Sequence, residues 1–484
     1  GRSPRAVWSA LPGAGWSAEI ADAVRATAAS GRGALVVVPD ARDVARIQAA
    51  LPEAVALQAG EGPEARYRRF LSVARGTAPI VVGTRAASLA PVIDLGLVVV
   101  WDDGDDLLAE PRAPYPHARE IALLRSLHQG CALVLGGHAV TAEGASLVAS
   151  GWAHPLRASR ETVRTIAPRV LAAGSDDEVA RDEAARTARL PTLAWRTVRD
   201  ALPAGPVLVQ VPRRGYVPGL ACARCRTPAR CAHCAGPLGL PAAQAVPGCR
   251  WCGRRAIEWR CAACGHDHLR AGAVGERRTA EELGRAFPGI PVRTSGGQTV
   301  LDEVAQEPSL VVATPGAEPR ASYAAVLLLD AWMLLNRPDL RAGEEAVRRW
   351  LNAAALAAPR APVVLVADAG SASVQALVRW DPFGFAAREL ADRTELGFPP
   401  AVRMAALDGT GAAIADLLEH AVLPAGTERL GPVPLDQDSE RLLLRVPRSG
   451  GADLAAALHA AAGIRSARKE PGAVRVQIDP AAFG

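Results

Sequence analysis

Short apolar runs of buried-strand length recur through the first three-quarters of the chain, with helical patterns between them. Runs at residues 7–10, 34–38, 80–82, 97–100 and 132–135 predict strands, and amphipathic spacing predicts helices over about 17–29 and 43–51. The turn Leu11-Pro12-Gly13-Ala14-Gly15 separates the first strand from the first helix. A second set of strand-length runs follows at 207–211, 310–313, 325–329 and 363–366. Strands alternating with helices argue for an α/β protein with doubly wound parallel sheets. No run reaches the ~20 apolar residues that span a bilayer, so no membrane segment is expected.

The second set is interrupted by a block unlike anything else in the chain. It reads Cys222-Ala-Arg-Cys225, Cys231-Ala-His-Cys234, Cys249-Arg-Trp-Cys252 and Cys261-Ala-Ala-Cys264, and it holds eight of the nine cysteines. A CxxC turn can aim two thiolates at one tetrahedral metal, so four turns supply two complete shells, predicting two structural Zn²⁺ ions. A disulfide framework suits short secreted chains, whereas here the rest of the protein holds only Cys131. Four pairs can be coupled in three ways. The second and third enclose 14 residues, close to zinc-ribbon spacing, which leaves the first and fourth for an outer site. His233, His266 and His268 lie nearby and are read as bystanders, because eight thiolates fill two shells.

Composition adds three constraints. A length of 484 residues with 49% hydrophobic content allows two to four domains with sizeable cores. The net charge of +5 is too mild to argue for nucleic acid by itself. The basic residues are nearly all arginine, with Lys469 the only lysine, so no lysine-dependent site can precede it. No signal peptide is visible, and thiolate metal sites suit a reducing cytoplasm. The start at Gly1-Arg2 without methionine suggests a fragment or processed chain.

The order of the pieces resembles the bacterial primosomal replication-restart helicase family PriA, over essentially the whole chain. Pro212-Arg213-Arg214-Gly215-Tyr216 resembles the family's N-R-R-G-Y, and Gly275-Glu276-Arg277 with Glu281-Glu282-Leu283 and Phe287-Pro288 resembles G-T-E-R…E-E-L…F-P. Gly83-Thr84-Arg85, Pro116-His117-Ala118-Arg119, Arg337 to Ala342, Glu395 to Pro400 and Leu430-Gly431-Pro432 follow in family order. The resemblance implies a first RecA-like lobe at 1–160 and a second at 161–219 with 271–375. It implies a two-zinc insertion at 220–270 and a small C-terminal α/β domain at 376–484, without the family's N-terminal DNA 3′-end-binding and winged-helix domains. It also favours the nested pairing, with Cys222, Cys225, Cys261 and Cys264 at one zinc and Cys231, Cys234, Cys249 and Cys252 at the other.

At the stations where such a motor carries its chemistry, this chain departs from the family. The phosphate loop reads Ala10-Leu11-Pro12-Gly13-Ala14-Gly15-Trp16-Ser17, so Gly15 and Ser17 remain but Trp16 stands at the lysine position. The family's D-E-E-H aligns to Trp101-Asp102-Asp103-Gly104, which removes the magnesium carboxylate unless Asp102 replaces it. The four aspartates 102, 103, 105 and 106 read as a solvated acidic loop. G-S-A-T-P becomes Gly136-Gly137-His138-Ala139-Val140, and both late arginines become Leu356 and Pro359. An arginine finger alone is worth roughly 10³–10⁵ in rate. The losses predict no ATPase or helicase activity and put ATP binding in question.

What remains is binding. Arg85, Arg119, Arg213, Arg214 and Arg277 sit in retained motifs and are the candidate DNA contacts, each weighed against an ordinary ion pair. Arg250, Arg254, Arg255 and Arg260 give the cysteine block a basic face, with Trp251 and Trp259 as stacking or mini-core residues. The favoured reading is a cytoplasmic, nucleoid-associated bacterial protein that binds forked or single-stranded DNA. It would scaffold reloading of the replicative helicase with primosome and helicase-loading partners. The alternatives are an active 3′-to-5′ helicase with a rewired site and a zinc-dependent protein-interaction platform.

Overall fold

The computed structural model describes residues 3–480, apart from 59, 61, 174–189, 213–219, 225–226, 235, 237, 240–245, 250–253, 271–275, 336, 338, 368 and 436–437. The chain divides into two compact units, one from residues 1–8, 20–156 and 386–483, the other mainly from residues 9–19 and 157–385.

In the first unit the strands are β1 (Arg5–Ser9), β2 (Gly33–Val37), β3 (Val55–Leu57), β4 (Ile80–Gly83), β5 (Leu95–Trp101), β6 (Ala132–Gly137) and β7 (His154–Arg157). They form one sheet in the order β3-β4-β2-β5-β6-β1-β7. The pairs β3–β4, β4–β2, β2–β5 and β5–β6 are parallel. β2 and β5 are buried along their whole length, which is why they read as unbroken apolar runs: both faces are covered by helices. β5 is the central strand of the seven, with β2, β4 and β3 to one side and β6, β1 and β7 to the other, so the chain winds to both sides of it.

The second unit repeats the plan. β8 (Arg169–Ala173) and β9 (Val207–Gln210) belong to a six-stranded sheet. Between β9 and the rest come four two-residue strands of the cysteine block, β10 (Ala221–Cys222), β11 (Leu238–Gly239), β12 (Gly248–Cys249) and β13 (Leu269–Arg270). β14 (Val292–Ser295), β15 (Leu310–Ala313), β16 (Ala325–Leu328) and β17 (Pro362–Val366) complete the sheet. Its order is β14-β15-β9-β16-β17-β8, with every pair parallel. Its core gathers Val207, Val209, Leu310, Val312, Leu327 and Val364 against Val198 and Leu283 from flanking helices.

β18 (Val402–Gly409), β19 (Glu428–Pro434), β20 (Glu440–Pro447) and β21 (Arg475–Ile478) make an antiparallel sheet in the order β19-β20-β18-β21. The helix Gly451–Arg468 covers it, burying Leu454, Leu458 and Ala461 against Leu407, Leu442 and Leu444. This sheet is held to the first unit's parallel sheet region by Arg448, which donates to Ser146 Oγ at 3.0 Å, and by Arg475 over the Tyr115 ring at 4.7 Å.

Candidate metal centres and the strand-end crevice

The four CxxC turns share one local geometry. In each, the backbone N–H of the first cysteine donates to the carbonyl five residues on: Cys222 to Thr227, Cys231 to Gly236, Cys249 to Arg254 and Cys261 to His266, at 2.8–2.9 Å. That closure bends the backbone at the first cysteine of each turn. β10 pairs with β13 and β11 with β12, which draws the first turn to the fourth and the second to the third.

The sulfurs fall into two groups, Cys222 with Cys261 and Cys264, and Cys231 with Cys234 and Cys249. Cys225 and Cys252 lie outside the described residues. The Sγ atoms of Cys222 and Cys264 are 3.5 Å apart, and those of Cys234 and Cys249 are 3.4 Å apart. These spacings are too long for a disulfide and close to the ~3.8 Å edge of a tetrahedron of thiolates 2.3 Å from one metal. Each group is therefore fit to hold a metal ion. His266 and His268 gather instead with Asp267 in a separate, largely exposed group. Trp259 packs against the module's small core of Leu220, Ala229, Leu238 and the cysteines, while Arg254, Arg255 and Arg260 are exposed. Arg250 and Trp251 lie outside the described residues.

The second place where chemistry is expected is the carboxyl end of the first sheet, where open α/β sheets bind ligands. Here that crevice is packed with rings. β6 lies between β1 and β5, and Gly136 on β6 is paired with Trp101 on β5. Because Gly136 has no side chain, Trp8 and Trp101 meet across it, with ring centroids 5.4 Å apart. A Cβ at Gly136 would stand 2.6 Å from the Trp8 ring. His138 meets Trp101 edge-on at 5.5 Å. Trp8, Trp101 and His138 are each at most 9% exposed. Trp16, at the head of the helix Trp16–Ala29, is buried too, and Gly15 serves that helix by accepting from Ala18 and Glu19. Ser17 is half-buried.

The acidic stretch after β5 is not a solvated loop, which corrects the expectation. Asp102 and Asp103 are 7% and 5% exposed, and only Asp106 of the four is fully open. Asp102 sits at φ +52° and donates its N–H to the Gly136 carbonyl. Asp103 accepts from Thr141 Oγ1 at 2.9 Å and from Arg119 Nη1 at 3.2 Å. Asp105 accepts from the Leu107 N–H and so starts a short 3₁₀ turn. Asp43, on the neighbouring helix Ala41–Ala50, has its carboxyl pushed up to about 7 by burial and by the charges of Asp40 and Asp102, against the pull of Arg46.

Arg119 is consequently misplaced as a DNA contact: it is 5% exposed, pairs with Asp103 and also faces Glu120 and Glu143. It is a structural cation that compensates a buried carboxylate. Arg85 is half-buried against Glu110 at 3.1 Å and the Leu107 carbonyl. Arg277 is exposed at the start of the helix Glu276–Ala286, and Arg213 and Arg214 lie outside the described residues. Three arginines near the lost finger in sequence are Arg348, Arg349 and Arg360: Arg348 is buried on Glu345 at 2.8 Å, Arg349 pairs with the same carboxylate, and Arg360 is exposed. Arg5 is held by Ser126 and lies over the Trp152 ring at 4.1 Å. Trp8 is the crevice residue that sequence reasoning missed. Its signal was a tryptophan inside a short strand two residues before the phosphate loop.

Two doubly wound lobes, a cysteine knuckle module inserted after β9 of the second sheet, and an antiparallel C-terminal sheet define a helicase-like protein built on two RecA-like lobes. Residues 394–481 match the family model described as "Primosomal protein N C-terminal domain". The probable replication restart protein PriA of Mycobacterium leprae is 54% identical, over all of this chain and 78% of the relative. That of Mycobacterium tuberculosis is 53% identical, over all of this chain and 79% of the relative. The chain belongs to the replication restart protein PriA family. A solved structure of RecG on a three-way DNA junction is matched over 80% of this chain and 43% of its own, at 10% identity and a TM-score of 0.40.

Proposed function

We propose that this chain is a DNA-binding restart protein of the PriA family that has lost ATP turnover. In this reading it recognises forked or single-stranded DNA and scaffolds reloading of the replicative helicase. The observation that carries it is the Trp8–Trp101–His138 cluster closed over Gly136, because it fills the crevice where phosphates and a metal carboxylate would have to meet. The mycobacterial relatives, themselves probable replication restart proteins, support the restart assignment. In the cysteine module, Cys222, Cys225, Cys261 and Cys264 would hold one zinc and Cys231, Cys234, Cys249 and Cys252 the other. Bound zinc would cross-link the knuckles and supply folding free energy, with no part in a reaction.

The test pairs two measurements on the full chain. ATP hydrolysis with magnesium and forked DNA should equal a no-protein control, and Trp16→Lys should leave it there, since parts that act as a unit are not repaired singly. DNA affinity should fall steeply as salt rises. A magnesium-dependent, DNA-stimulated ATPase would favour the rewired helicase. Absence of DNA binding at low salt would favour the protein-interaction platform, a reading strengthened by the burial of Arg119.

A further inference from the structure

We propose that the second unit carries a binding pocket for a nucleoside phosphate, apart from the filled phosphate loop. A cavity of about 350 Å³ opens there between the helix Arg160–Ile166 and the turn leading into the helix Pro382–Leu396. That volume lies at the lower end of the ~300–1,000 Å³ usual for ligand sites, enough for one nucleotide and too little for a strand.

Charge decides what the cavity wants. Four arginines line it, Arg157, Arg160, Arg164 and Arg379, all of them exposed, against a single acidic residue, Asp381. Arg160 reaches Asp381 only at 3.5 Å, from a side chain 71% exposed. Among the described residues no carboxylate comes within ion-pairing distance of Arg164 or Arg379. A concave site with this excess of unneutralised arginine attracts an anion with several oxygens, and the guanidinium fork matches phosphate. Phe383 gives the pocket an apolar wall, with the Arg157 guanidinium 5.4 Å from its ring centroid. A flat, π-rich base stacks on such a wall while its phosphate reaches the free guanidiniums. Of the former phosphate loop only Ala10 and Leu11 touch the cavity, so binding here needs neither the lost lysine nor a magnesium carboxylate.

The nucleotide could arrive free or as the phosphorylated end of a strand, and the experiment separates the two. Fluorescent ADP and a 5′-phosphorylated oligothymidylate are titrated against the full chain without magnesium. The same titrations are run on R164E/R379E, the milder R164Q/R379Q, F383L and the remote control R285E, with folding checked by thermal melts. The expected result is binding without magnesium that weakens roughly tenfold or more in both double variants, as loss of charge-assisted contacts to phosphate requires. F383L should weaken the nucleotide but not inorganic pyrophosphate, and R285E should match the parent. Loss confined to ADP assigns the free nucleotide, and loss confined to the oligonucleotide assigns the strand end. Equal affinity for pyrophosphate and nucleotide, no effect of the double variants, or a strict magnesium requirement would each overturn the proposal. DNA binding that persists in the double variants leaves the restart reading standing on its own.

Discussion

Among the described residues of the cysteine module, the buried core is Leu220, Ala229, Cys231, Leu238 and Cys249, and two of the five are candidate metal ligands. The crevice of the first unit instead closes on two indoles, an imidazole and the buried strands around them. On the proposed reading, a module with so small a described core would draw folding free energy from a bound ion. The crevice has been moved the other way. At that end of the sheet, Trp8, Trp101 and His138 supply packing. On the proposed reading, the chain keeps ligand dependence where it holds a fold together and loses it where it would drive a reaction.

The largest effect should come from metal. Structural zinc contributes on the order of 10–16 kcal/mol of apparent binding free energy in small peptides. Elemental analysis of reduced protein should find two zinc ions per chain, and chelation should raise hydrogen exchange across residues 220–270 while both parallel sheets stay protected. Replacing Cys222 and Cys261 by serine should remove one ion and leave the Cys231 group loaded. Full protection of the module after chelation would erase the contrast drawn above.

Arg119 comes next. Its removal strands the Asp103 carboxylate in a buried site, and breaking a buried pair costs about 3–5 kcal/mol. Urea denaturation of Arg119→Met should register that loss, and Arg119→Met with Asp103→Leu should recover much of it. The salt dependence of DNA binding should not change, because the guanidinium does not reach solvent. A flattened salt slope in Arg119→Met would return this residue to the DNA surface.

Trp101→Ala tests the crevice directly and should cost about 3–5 kcal/mol, as large-to-small aromatic changes in cores do. Trp101→Asp would restore the family's carboxylate and is expected to destabilise by at least as much without conferring ATPase. If Trp101→Ala left stability unchanged, the crevice would be a vacant cleft and not a core.

The sequence made the central strands legible because they are buried on both faces and read as continuous apolar runs. β3, β7, β8 and β14 were missed because they are short, lie toward the sheet edges or alternate with polar residues. The cysteine spacing carried the metal hypothesis unaided. What the sequence could not carry is adjacency. Trp8, Gly136 and Trp101 are far apart in the chain and meet only because β6 lies between β1 and β5. Arg119 was misjudged for the same reason, since a retained motif position does not say whether its partner is a phosphate or Asp103. The pocket arginines 157, 160 and 164 are close in sequence, but Arg379 joins them only through the fold.

The smallest expected effect concerns pH at the rim of the filled crevice. Asp43 faces Asp40 and Asp102 as like charges, with Arg42 and Arg46 opposing them, and its carboxyl is raised from 3.8 to about 7. A carboxyl raised on folding binds its proton more tightly in the native state. Its contribution is complete below about pH 4 and is lost as pH rises through about 7. Other groups titrate over this range, so the informative quantity is the difference between the parent and Asp43→Asn. The amide keeps the shape and can still accept from Arg46, but it has no proton to lose. Below about pH 4 the two proteins should be alike in stability. By pH 8 Asp43→Asn should be the more stable, by on the order of 1–3 kcal/mol once the exposure of the side chain is discounted. Thermal melts at matched ionic strength from pH 5 to 8 would measure the divergence. Parallel stability curves would mean that Arg46 holds Asp43 ionised throughout. The like-charged rim would then be a balanced ion-pair network, and the crevice would owe nothing to a proton.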